Sequence, residues 1–413
     1  MNFPLAAFTN VSALNPWTYL VFGLIGFAFG FVLEISGFGN SKKLAAQFYF
    51  SEMTVLKVMF TAIVVAMVLI AIATGLGILD INQVWINPTY LWPGIVGGLI
   101  MGVGFIIGGF CPGTSLVSMA TFKVDGLFFV LGSLFGIFLF GETVQYFEGF
   151  WESSNYGRLT LMDWLGLTTG QVVLIIVLMA LLMFAFAELM ESFIGKRDLK
   201  AEPKLRLAGA ALLIAGAVAV LIIGQPTLSE KWAKISSVKE ASLAAREVQI
   251  SPAELLSTKA NDGLRLVMLD IRPESEYNLF HIDGAKNVQP EALEKVTADI
   301  ISQSAPNLVV AVMSNDEDAA TEAWKVLAAA SVANVYILEG GINNWITAFG
   351  KEEPQITPIT SEQVKNDSLR YLFESALGGR YECSDPNPHE FDLEFEPKIK
   401  LELKRDKSGG GCG

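Results

Sequence analysis

Six stretches of the 413-residue chain stay apolar for about the length that crosses a bilayer: roughly 17–38, 54–77, 91–110, 126–147, 170–191 and 206–224. Hydrocarbon offers a backbone no hydrogen-bond partner, so a run of about 20 apolar residues is read as a membrane helix. The expected fold is therefore an α-helical polytopic membrane domain of about six spans over 1–224. Charge divides the chain at the same place. Up to Gly224 there are ten Lys and Arg against twelve Asp and Glu; the other nineteen and thirty follow it. The second part is an ordinary acidic polypeptide. With a net charge of −13 and no basic patch to meet phosphates, nucleic acid is excluded as a partner. Three cysteines, Cys111, Cys383 and Cys412, are too few for a disulfide scaffold or an iron–sulfur protein. No Lys or Arg precedes Lys42, so a cleaved signal peptide is not expected.

Positive residues collect on the cytoplasmic side of membrane helices. Lys42 and Lys43 lie in the 41–53 connection and Lys123 in 111–125. Lys196, Arg197, Lys200 and Lys204 lie in 192–205. The alternate connections, 78–90 and 148–169, hold only Arg158 among several acids. Both ends of the chain then face outward, and everything after Gly224 is expected to be extracytoplasmic.

The membrane part repeats itself. Thr18-Tyr19-Leu20 returns as Thr89-Tyr90-Leu91, and Gly30 with Gly37-Phe38-Gly39 returns as Gly102 with Gly109-Phe110-Cys111, at nearly the same offset. Each unit reads as a glycine-rich span, a break, a short amphipathic segment and a second span. Glycines on membrane helices often only permit close packing. Breaks at matching positions of a repeat point instead to a polar transport path, because freed backbone groups line it.

The second break, Gly102-Val-Gly-Phe-Ile-Ile-Gly-Gly109-Phe110-Cys111-Pro112-Gly113-Thr114-Ser115, sets a thiol between glycines and a proline. Pro112 cannot continue a hydrogen-bonded helix. The broken end is expected to present free amides and the hydroxyls of Thr114 and Ser115 to an anion, beside a polarizable sulfur. A lone membrane cysteine otherwise packs as a small hydrophobe. The repeat partner of this break is Gly37-Phe38-Gly39-Asn40-Ser41. Over 17–147 the Gly-Gly-Phe-Cys-Pro-Gly-Thr motif and its spaced glycines resemble the YeeE/YedE sulfur-transport family. The resemblance implies a bacterial inner-membrane importer of thiosulfate or a related sulfur species, with Cys111 contacting the passing substrate. The first repeat departs from the family in having Gly39 where a second cysteine belongs, and the membrane part is shorter.

Residues 225–247 read as a juxtamembrane helix or linker. From 248 to about 352, strands expected at Leu266–Ile271, Leu308–Met313 and Val335–Leu338 alternate with helices, Glu317–Ala330 among them. That alternation implies an α/β domain with a parallel sheet. Leu269-Asp270-Ile271-Arg272-Pro-Glu-Ser-Glu276-Tyr277 through His281, Gly284 and Asn287 resembles the first signature of rhodanese domains. Leu338-Glu-Gly340-Gly341-Ile342-Asn-Asn-Trp345 resembles their last. Asp270 and Arg272 are expected to pair and fix a loop, and His281 to make a structural hydrogen bond. Rhodanese chemistry needs a thiolate where this chain has Ser314. The loop Ser314-Asn-Asp-Glu-Asp-Ala319 has no thiol, no cation and three acids. Serine cannot carry sulfane sulfur, so the domain is read as a catalytically dead rhodanese fold.

In the 353–413 extension, a helix is expected over Ser361–Leu377 and an exposed strand over Phe391–Leu403. The terminus Ser408-Gly-Gly-Gly-Cys412-Gly413 is similar to the Gly-Gly-Cys-Gly-Gly end of the periplasmic carrier SoxY, which implies a swinging sulfur-carrying cysteine. The plain alternatives are a disordered end or a Cys383–Cys412 disulfide. Cys383 and His389 supply only two possible metal ligands, so neither metal nor cofactor is expected. Three functions follow. The first is a transporter of a small sulfur anion across the lipid bilayer. The second is a membrane-anchored sulfurtransferase or sulfur carrier using Cys412. The third is a docking protein for a periplasmic or cytoplasmic sulfur carrier.

Overall fold

The computed structural model describes residues 16–84, 86–195, 205–302, 307–350, 356–359, 366–373 and 384–401, in two compact units. The first unit is helical: α1 Pro16–Ile35, α2 Ser41–Ala46, α3 Thr54–Gly75, α4 Leu91–Gly108, α5 Pro112–Ala120, α6 Val124–Thr143, α7 Thr169–Phe193 and α8 Leu205–Ile223. Each expected apolar run is one of these helices. Among the described residues, five stretches are long and apolar enough to cross a membrane: α3, Leu91–Ala120, α6 with its last turn, α7 and α8. The expected run at 17–38 is α1, 20 residues long, which ends where the chain turns at Gly37, whose φ is +79°.

Helices α3, α7 and α8 pack through Val64, Val68, Ala71, Val173, Val177, Ala180, Ala217 and Val220. Small residues set the approach. A Cβ on Gly170 would stand 2.7 Å from the Leu221 Cα, and one on Gly75 would stand 2.7 Å from the Gly224 carbonyl oxygen. One buried charge joins this group. Glu191, fully buried near the end of α7, accepts from Lys57 Nζ and from the Met53 amide, each at 2.6 Å. It thereby satisfies one of the backbone donors left over at the start of α3. Phe128, Leu131, Phe135 and Phe138 of α6 remain exposed, as suits lipid-facing residues.

The second unit runs from Thr227 and includes Ile81–Ile86. Its helix α9, Leu228–Ala244, starts at a capping box in which Thr227 and Glu230 bond each other's amides. The Thr227 amide bond, then its hydroxyl, holds the Glu230 carboxyl below its ordinary pKa. Leu228, Trp232, Ile235 and Leu243 rest on the core, with Trp232 edge-on to Trp324. There follow β1 Gln249–Ile250, α10 Pro252–Lys259, β2 Arg265–Asp270, α11 Glu274–Leu279, β3 Ala285–Asn287, α12 Leu293–Ser302, β4 Leu308–Met313, α13 Asp318–Ala329, β5 Val335–Leu338 and α14 Gly341–Phe349. The sheet order is β1-β5-β4-β2-β3 and every pairing is parallel. Every residue of β4 and β5 is buried, so these strands read as unbroken apolar runs rather than alternating ones. Separate cores fill the two faces.

The C-terminal extension differs from its sequence reading. Residues 361–365 and 374–377 of the expected helix lie outside the described residues. Within it, Tyr371–Phe373 is strand β7, antiparallel to β6, Ile356–Pro358. Between Phe391 and Leu401 there is no strand, because the backbone donors go to side chains instead. The Lys398 and Ile399 amides both donate to Glu254 at 2.8 Å, and the Lys400 amide donates to the Tyr336 hydroxyl. Leu369, Tyr371, Leu393 and Ile399 pack on the α10–α14 face of the sheet.

Candidate functional site

The break after α4 is built by two residues. Gly109 ends the helix at φ +69°, a left-handed conformation that costs glycine nothing. Cys111 then starts α5 as its N-cap, with Pro112 in the first helical position, where a missing N–H does no harm. The Cys111 Sγ accepts from the Thr114 amide at 3.4 Å and lies 3.2 Å from Thr114 Oγ1. The Cys111 amide donates to the same Oγ1 at 3.0 Å. Ser115 donates its amide to the Cys111 carbonyl and its hydroxyl to the Pro112 carbonyl. The expectation of free donors is therefore corrected. The thiol has taken the role of a capping side chain, and the polar groups of Thr114 and Ser115 are buried and engaged. Cys111 itself is only half-buried. Further along α5, Ser118 is buried against Gly126 of α6.

The first repeat builds the same frame with different chemistry. Gly37, like Gly109, has positive φ, and Phe38, like Phe110, is buried; both phenylalanines share one cluster with Leu44 and Val55. Asn40 caps α2 by accepting from the Lys42 amide. Where Cys111 has its repeat partner, Gly39 leaves room for an ion pair. A Cβ there would stand 2.5 Å from Glu34 Oε2 and 2.9 Å from Lys123 Nζ, which are bonded to each other. Ser41 donates to Asp125 at 3.4 Å. Glu34 is visible in the sequence as an acid inside an apolar run; its partner on the α5–α6 connection is not.

In the second unit Asp270 and Arg272 pair as expected and are fully buried. Arg272 donates its amide and Nε to Asp270 Oδ1 at 3.1 and 3.0 Å, and Nη2 to Oδ2 at 2.6 Å. Its Nη2 also donates to the Phe280 carbonyl. His281 stacks on Tyr277, and its Nδ1 lies 2.9 Å from the Tyr277 carbonyl oxygen, a structural bond. Ser314 sits at the C-terminal end of β4, buried, with its Oγ accepting from the Ala320 amide at 3.2 Å. Two of the three loop acids have cations that the loop sequence does not show. Asp316 pairs with Arg370 at 2.9 Å, and Glu317 takes a two-pronged bond from Arg246, which also reaches Glu339. The hydrogen bond to Glu317 is the main cause that holds the Arg246 guanidinium above its ordinary pKa. Asp367, which no motif marks, is bonded to two amides of the same loop. Cys383 and Cys412 lie outside the described residues.

A model of the rhodanese-like domain matches residues 251–348, the segment that carries the parallel sheet and the Ser314 loop. No curated protein and no solved structure matches the chain. A model for sulphur transport matches residues 36–259, more than half of the sequence, and takes in both helix breaks and the apolar helices α3–α8. The chain is a multi-pass membrane protein that belongs to the sulphur transport family and carries a C-terminal rhodanese-like domain.

Proposed function

We propose that the membrane unit imports thiosulfate or a closely related sulfur anion across a bacterial inner membrane, past the breaks at Gly37–Ser41 and Gly109–Ser115. The observation that carries this reading is Cys111: a half-buried cysteine at a helix break, its sulfur 3.2 Å from the Thr114 hydroxyl. A thiol offers a polarizable surface and a weak donor, so it can touch a passing anion without trapping it. A path must bind weakly enough to release. The rhodanese-like unit, read as extracytoplasmic from the loop charges, captures or docks sulfur-bearing partners and does not transfer sulfur. Ser314 supports this reading: it replaces the required thiolate, and its oxygen is already used by the Ala320 amide. The tail Cys412 extends the reading as a sulfur-carrying arm akin to that of SoxY. Uptake of radiolabelled thiosulfate into proteoliposomes tests the function. Time-dependent, saturable accumulation is expected, and leakage equal to protein-free vesicles overturns it.

A further inference from the structure

The Ser314 loop gathers backbone donors at the start of α13. Helix beginnings leave their first amides unbonded and carry partial positive charge, which suits an anion. Glu317, the residue at the N-cap position, makes no side-chain cap bond to this helix. The donors are met from elsewhere. Asp367 Oδ1 accepts from the Asp316 amide at 2.6 Å, and Oδ2 accepts from the Ala319 amide at 2.7 Å. The neighbouring backbone closes the same contact: Asn315 Nδ2 donates to the Asp367 carbonyl, and Asn343 Nδ2 donates to that of Ser368. Arg370 returns with its amide to Asn343 and its guanidinium to Asp316. One carboxylate thus bridges two amides of a loop, 51 and 48 residues away in the chain.

We propose that the Ser314 loop is an oxyanion cradle whose resident ligand is the Asp367 carboxylate, supplied by the chain's own C-terminal extension. The cradle recognises a carboxylate through two charge-assisted bonds, which are short and about twice as strong as neutral ones. While Asp367 is seated, no external carboxylate or sulfur oxyanion can reach these two amides. The loop remains closed even though Arg246 and Arg370 offset two of its acids. The proposal rests on the extension alone and stands or falls independently of transport.

Hydrogen exchange on the full-length protein in detergent, resolved to single amides, tests it. Ala320 is the internal reference, since Ser314 rather than Asp367 holds its amide. In Asp367→Ala, the Asp316 and Ala319 amides should exchange about tenfold faster or more, the scale of a lost charge-assisted bond, while Ala320 stays as in the wild type. Sodium acetate at about 50 mM, far above the roughly millimolar affinity a small site can reach, should slow both amides again where sodium chloride does not. Wild type should ignore acetate. Asp367→Ser shortens the side chain and removes the charge, so it also vacates the two amides; it should show the same acetate response and serves if the alanine variant does not fold. Unchanged exchange at Asp316 and Ala319, or faster exchange that acetate slows no more than chloride does, overturns the proposal.

Discussion

Gly109 approaches Ser41 so closely that a Cβ added to it would stand 3.1 Å from the Ser41 Cβ and 3.2 Å from the Ser41 carbonyl oxygen. The break of the second repeat therefore rests on the short helix that follows the break of the first. Together the two breaks form one junction, with Phe38 and Phe110 buried beneath it. On the proposed anion path, each break is shaped by the other.

Gly109→Ala should destabilise this junction. The left-handed backbone costs a residue with a Cβ about 1–2 kcal/mol, and here the added atom meets rigid backbone as well. Gly37→Ala has the same backbone cost, but its new atom meets only the flexible end of Lys43. Melting temperatures in detergent should therefore fall more for Gly109→Ala than for Gly37→Ala. Equal falls would mean that the contact with Ser41 adds nothing.

Replacing the thiol separates capping from substrate contact. Cys111→Ser keeps an acceptor for the Thr114 amide and a donor for an anion, so it should retain part of the thiosulfate flux. Cys111→Ala loses both, and losing an N-cap acceptor costs about 1 kcal/mol. Its flux should fall at least tenfold in protein that still elutes as a folded species. Wild-type flux in Cys111→Ala proteoliposomes rejects the role assigned to the sulfur.

The rhodanese-like unit should yield no thiocyanate from thiosulfate and cyanide in the full-length protein, before or after Ser314→Ala. A serine hydroxyl needs a neighbouring base to act as a nucleophile, and Ser314 Oγ instead accepts from the Ala320 amide. Turnover above a heat-treated control that Ser314→Ala abolishes would show that the loop is catalytic.

Orientation can be read with a membrane-impermeant maleimide on intact cells making the Cys111→Ala protein. Under mild reduction, Cys383 and Cys412 should label without lysis if this region lies outside, as the loop charges lead one to expect. Labelling that appears only after lysis reverses the topology. Truncation after Lys407 should slow growth on sulfur anions while leaving flux through the membrane unit unchanged. Unchanged growth would leave Cys412 without the carrier role.

The fold was legible wherever local pattern and burial agree. The runs 54–77, 170–191 and 206–224 became α3, α7 and α8, and Leu308–Met313 became the buried strand β4 without a change of boundary. The pairing of Asp270 with Arg272 was legible too, because the two residues are close in sequence. Contacts made over long separations were not. Nothing near Cys111 announces that its sulfur will cap a helix, since cysteine is not a habitual N-cap. Nothing in Ser314-Asn-Asp-Glu-Asp shows that Arg246 and Arg370 will offset its acids, and the loop read in isolation looks more repellent to anions than it is. The extension misled for a related reason. Phe391–Leu403 alternates like a strand, but its donors found the Glu254 carboxylate and the Tyr336 hydroxyl before they found a sheet edge.

The pairing of Lys57 with the buried Glu191 bears on how the protein is made. The partners are 134 residues apart, with α4, α5 and α6 between them. When α3 leaves the ribosome Glu191 has not yet been made, so neither Lys57 nor the Met53 amide has the partner it meets in the folded protein. A lysine in the first turn of a helix can hold its ammonium at the water interface until a partner arrives. Only once α7 has emerged can Glu191 bond both the Lys57 ammonium and the Met53 amide at the α3 terminus. Order of synthesis thus becomes order of assembly, with a nascent chain stopped before α7 holding an unlocked first half.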